Sequence, residues 1–131
     1  MKSNVSTAVI LGGLLLLCSV YATAHHSTPP YWRTDQSIEI EGAVKQMKVI
    51  NPHSELILTV TNANGQPEDW IGVAGTGNRM IKAGWANETL AMGTKVRVVG
   101  APPRREGAKG ILIREIILED GTVLTSGGLP Q

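Results

Sequence analysis

Residues 37–61 read Ser-Ile-Glu-Ile-Glu-Gly-Ala-Val-Lys-Gln-Met-Lys-Val-Ile-Asn-Pro-His-Ser-Glu-Leu-Ile-Leu-Thr-Val-Thr, and the two alternating runs on either side of Asn51-Pro52-His53 decide the fold class. Ile38, Ile40 and Val44 alternate with Glu39, Glu41 and Lys45, the period of two of a half-buried strand. Gly42 stands where a bend or bulge costs little. Asn51-Pro52 breaks the ladder, and a second strand over 55–61 places Leu56, Leu58 and Val60 on one face. Asn62-Ala63-Asn64-Gly65 then supplies the positive-φ residues of a hairpin turn. Pro67 opens a third strand through Trp70, Ile71 and Val73.

After Ala74 the period lengthens. Thr76 can cap a short helix through Asn78, Arg79, Met80, Ile81 and Lys82, and Gly84 ends it in a left-handed C-cap conformation. Trp85 and Leu90 are placed to pack that helix onto the sheet. A fourth strand runs from about Thr94 to Val99 with Val96 and Val98 inside, followed by a loop of Pro102, Pro103, Arg104, Arg105 and Gly107. The fifth covers 110–118, where Ile111 and Ile113 change phase to Ile116 and Leu118 across Arg114-Glu115, the mark of a bulge. Asp120-Gly121 turns the chain into a short segment over 122–124. Three strands, one short helix and two strands is the order of a mostly β, five-stranded OB-like barrel; a small open sandwich is the alternative. Closing the sheet removes exposed edges.

Working outward to the N-terminus, residues 8–20 are almost wholly apolar, preceded by the single charge Lys2 and followed by Ala22-Thr23-Ala24. That is the build of a secretory signal peptide cleaved before His25, too short for a membrane span of roughly 20 residues. The expected organisation is a signal peptide over 1–24, an N-terminal arm over 25–36 with two adjacent prolines, an OB-like barrel over 37–125 and a tail over 126–131. The expected destination is the periplasm or the exterior. Cys18 leaves with the signal, and Leu17 stands where a lipoprotein signal needs a small residue. The exported piece therefore has no thiol, and its core must supply the stability that disulfides give many secreted domains.

Removing 24 residues from 131 leaves 107, and removing Lys2 from the 12 basic residues leaves 11 to meet 11 acidic ones. Nothing here resembles the basic surface that neutralises nucleic-acid phosphates. The three histidines fall in two places: His25-His26 at the expected new terminus, and His53. Cleavage after Ala24 would give His25 a free α-amino group with a pKa of about 8, so its amine and imidazole can chelate a metal together. A further imidazole from His26 or His53 makes an all-nitrogen set suited to Cu(II), and resembles the histidine brace of copper proteins. No carboxylate or thiol completes a tetrahedral zinc set, which puts copper ahead of zinc as cofactor. Reach is the difficulty. A straight first strand separates His53 from the arm by roughly 40 Å, whereas the arm spans at most roughly 33 Å. Closure in one chain needs a bent strand or an arm folded back along it; otherwise two chains share the site.

Other constellations read as structural. Met47, Met80 and Met92 share no motif spacing and fit core or rim positions. Gly75-Thr76-Gly77 is a turn, since Met80 stands where a dinucleotide loop needs its third glycine. There is no Gly-x-Ser-x-Gly elbow, so no catalytic residue is assigned and the protein reads as a binder rather than an enzyme. Of Trp32, Trp70 and Trp85, two are expected in the core. The alternative to copper carriage is a metal-free interaction module, with Trp32 and Arg104-Arg105 at the barrel rim holding an envelope protein or glycan.

The exported chain resembles a bacterial secreted family of unknown function whose members begin their mature region with Ala-His-His-Ser and carry Asn-Pro-His before the second strand. The matching residues are Ala24-His25-His26-Ser27 and Asn51-Pro52-His53, then Asn78-Arg79, Ala83-Gly84-Trp85, Gly93, Gly100-Ala101-Pro102 and Asp120-Gly121. Val49 departs from a tryptophan frequent in the family, Tyr31-Trp32 from a phenylalanine-aspartate pair, and Gly77 from a proline. The resemblance implies export and a compact β-barrel, and carries no reaction.

Overall fold

A computed structural model describes residues 31–85 and 88–126. Along the chain it has β1 (Ile38–Lys48), β2 (Glu55–Thr61), β3 (Pro67–Val73), α1 (Gly77–Lys82), β4 (Lys95–Ala101), β5 (Gly110–Leu118) and β6 (Val123–Thr125). β1 serves two neighbours in succession. Its first half pairs antiparallel with β4, from Ile38 opposite Gly100 to Ala43 opposite Lys95. Its second half pairs with β2, from Ala43 opposite Thr59 to Lys48 opposite Glu55. The register shifts between Val44 and Gln46, so the irregularity lies just past Gly42 rather than on it. Gly42 instead permits a close approach. A Cβ there would stand 2.7 Å from the Thr59 carbonyl oxygen, so only a residue without one lets β1 lean onto β2 at the handover.

β3 closes the ring. It runs antiparallel to β2 over its whole length. It also pairs parallel with the start of β5, with Ile71, Gly72 and Val73 opposite Gly110, Ile111 and Leu112. Together with the antiparallel β4–β5 ladder this gives the closed order β1-β2-β3-β5-β4, an OB-like five-stranded barrel, and the open sandwich is excluded. β6 lies outside the ring on β5 as a sixth strand. The bulge expected in β5 is present: the register slips between Val99 and Gly100 on β4, so that Val99 faces Glu115 and Gly100 faces Ile113. That slip lets Ile111, Ile113 and Ile116 all point inward.

The interior of a small barrel is filled by its inward-facing side chains. Val44, Leu56, Leu58, Val96, Val98 and the three β5 isoleucines fill it. Met80, Trp85 and Leu90 are buried with them, so α1 and the segment after it join the core as expected. The helix ends in a Schellman motif: the Trp85 N–H donates to Met80 O (3.0 Å) and the Gly84 N–H to Ile81 O (3.1 Å), with Gly84 at φ +85°. Trp85 Nε1 donates to Thr125 O (3.0 Å), tying β6 to the helix end. Among the described residues no helix is long and apolar enough to cross a membrane.

Gly42→Val is expected to destabilise the protein by about 1–3 kcal/mol through overpacking. Urea unfolding checks this, and an unchanged midpoint would mean that the β1 bend does not need this close approach.

Candidate functional site

The loop from Val49 to Ser54 carries the one described histidine, and it is laced to the turn between β3 and α1. The Gly77 N–H is shared between Ile50 O (3.0 Å) and Asn51 Oδ1 (3.1 Å). Ser54, fully buried, donates its N–H to Gly75 O (2.8 Å) and accepts from the Ala74 N–H (2.9 Å). These bonds satisfy polar groups that would be costly to bury unpaired. Thr76 occupies the N-cap position with an extended backbone, but its side chain caps nothing. The first helical N–H instead takes a side-chain acceptor from a loop 26 residues upstream. The expected Thr76 cap is thus corrected: Asn51 supplies the acceptor, and the local N-cap pattern gave no sign of it.

Asn51-Pro52 is a cis peptide. His53 follows it, exposed, and its ring makes no hydrogen bond with the described residues. His25 and His26 lie outside the described residues. Among the described residues, no three His, Cys, Asp or Glu side chains gather into a set that could hold a metal ion. The straight-strand geometry expected from the sequence does not hold, because β1 passes from β4 to β2 and is bulged at the handover. The described part of the arm is folded onto the barrel. Arg33 N–H donates to Pro102 O and Arg104 N–H to Tyr31 O, both at 2.8 Å, with Trp32 bridged to Pro103. Arg114 Nη2 reaches Thr34 O at 2.6 Å. Gly110 offers the Trp32 ring a flat bed: a Cβ there would stand 3.4 Å from its edge.

The β4–β5 loop that receives the arm is itself clasped to β3. Lys109 Nζ sits 2.9 Å from Glu68 Oε1 and 5.6 Å from the centre of the Trp70 ring. Trp70 Nε1 donates to the same Glu68 oxygen at 2.9 Å. The Lys109 hydrogen bond, then that from Trp70, holds the Glu68 carboxyl below its ordinary range. The three tryptophans therefore occupy three settings: Trp85 in the core, Trp70 half-buried against it, and Trp32 in the arm, its ring resting on Gly110. Met80 is in the core and Met47 packs against the core, whereas Met92 is exposed on the loop before β4.

Asn51→Ala is expected to cost about 1 kcal/mol, with faster hydrogen exchange at the Gly77 amide, while Asn51→Asp keeps the acceptor and most of the protection. Because the folded Glu68 has a depressed pKa, its contribution to stability is complete above the unfolded carboxyl pKa and is lost as pH falls through the folded value. Glu68→Gln should flatten that acid limb in denaturation midpoints measured from neutral to strongly acidic pH.

No curated protein matches the chain. Residues 14–113, most of its length and nearly all of the barrel ring, match DUF6152, and the chain belongs to this family of unknown function.

Proposed function

We propose that the chain is an exported binding protein that carries or buffers one copper ion, held by the α-amine and imidazole of His25 with His53 or His26 as a further nitrogen ligand. The observation that supports this reading is His53, an exposed imidazole without a hydrogen-bond partner among the described residues, on a loop that Asn51 and Ser54 hold in place. An imidazole displayed on a fixed loop is a ready ligand for a tetragonal Cu(II) centre.

Reach also favours it. The Trp32 ring rests on Gly110; Gly110 pairs with Ile71, and Ile71 with Ile57, four residues from His53. Two strand spacings across and four residues along amount to about 16 Å over the sheet surface. The seven residue steps from Trp32 back to His25 can cover up to about 24 Å. One chain can thus satisfy the set without a partner copy. In this reading the protein supplies nitrogen ligands and a rigid scaffold.

Protein whose N-terminus is verified as His25 should bind one Cu(II) with nitrogen hyperfine structure in its electron paramagnetic resonance spectrum. An added N-terminal methionine should weaken binding strongly, and His53→Ala should change the spectrum. Equal affinity with and without the methionine would remove the amine from the site. An unchanged spectrum in His53→Ala would leave a local His25–His26 site.

A further inference from the structure

Most described cations of the sheet have carboxylate partners: Lys45 with Asp69, Lys48 with Glu55, Lys95 with Glu119, Arg97 with Glu39 and Lys109 with Glu68. Arg33, Arg104 and Arg105 have none among the described residues. They are neighbours by construction, since the arm pairs with 102–104 and Arg33 Nη2 lies 3.4 Å from Arg104 O. Asp35 and Glu106, the acids nearest in sequence, form no ion pair with them. The arm and the β4–β5 loop thus bring together three arginines that have no ion-pair partner among the described residues.

The same place carries an open backbone edge. Trp32 stands opposite Pro103, while its neighbours Tyr31 and Arg33 make the inter-strand bonds. In an antiparallel pair the residue at that position turns its own N–H and C=O to the other edge. Those two groups of Trp32 bond none of the described residues. Ile71, nearly half exposed on β3, lies beside Gly110 under the Trp32 ring. The Trp32 N–H and C=O, which bond none of the described residues, beside an apolar side chain and guanidiniums without carboxylate partners among those residues, meet the requirements for strand addition.

We infer that the arm and β4–β5 loop form a docking surface for an extended acidic segment of a partner protein, its backbone adding to the Trp32 edge and its carboxylates meeting Arg33, Arg104 and Arg105. Guanidinium forks match carboxylates two bonds at a time, and extended chains present alternate side chains to one face. An acidic, alternating sequence therefore fits both features at once. A membrane surface would use the charge and leave the backbone edge idle, which is why the peptide is favoured. The inference does not rest on copper.

The test uses the isotopically labelled protein in buffer with EDTA and about 50 mM salt, which leaves surface charge only partly screened. The probe is a blocked Glu-Val-Glu-Val-Glu-Val peptide, with Lys-Val-Lys-Val-Lys-Val as control. Amide shifts should move and saturate at Trp32, Arg33, Arg104 and Arg105 with the acidic peptide alone. The exposed-loop double variant R104E/R105E should weaken binding at least tenfold while its far-ultraviolet spectrum stays unchanged, and Arg105→Ala should weaken it about threefold. Shifts confined to another face, or equal affinity in R104E/R105E, would overturn the proposal. So would Arg-dependent binding to phosphatidylglycerol vesicles without any peptide binding.

Discussion

Three residues of parallel pairing, Ile71–Val73 against Gly110–Leu112, turn an open sheet into a barrel. Every other ladder in the ring is antiparallel and follows from near neighbours in sequence or from the long β1. The parallel contact can form only because β1 changes partner at Ala43 and swings β2 and β3 round toward β5. Residues 25–131 hold no thiol to cross-link the result, so closure and the apolar interior carry the stability together. Met80 of the helix and Trp85 just after it are buried in the same apolar cluster as the strand side chains.

The period-two runs made the strands legible. β2, β3 and β5 have the bounds that alternation and turn residues imply, because each has one buried face and its pattern is local. The phase change across Arg114-Glu115 was legible for the same reason: a bulge moves side chains from one face to the other and leaves a break in the pattern. What stayed hidden was long-range. The bulge in β1 falls on Lys45, set by the handover between β4 and β2 rather than by the glycine nearby. The helix cap comes from Asn51, which local reading treats only as a breaker before proline. The sixth strand was visible as a short segment after Asp120-Gly121, but not its place on β5.

The candidate sites divide in the same way. His53 could be singled out because histidine is scarce in this chain, yet its exposure depends on bonds made by Asn51 and Ser54 to a turn far along the sequence. The positive patch was legible only as Arg104-Arg105; Arg33 joins it through the arm's pairing with Pro102 and Arg104, which no local pattern encodes. The His53 loop joins β1 to β2, and the loop with Arg104 and Arg105 joins β4 to β5, so the barrel fixes each of these loops at both ends. A rigid ring with its chemistry on bordering loops lets those loops change without disturbing the core.

The separate settings of the three indoles have a practical consequence. Trp85 is enclosed with its N–H on Thr125 O, Trp70 shares Glu68 with Lys109, and Trp32 lies at the arm over Gly110. Each is an intrinsic fluorophore in a different dielectric and with a different neighbour. Single-tryptophan versions of the chain would report optically on the interior, the clasp and the arm as three distinct signals, with no attached dye.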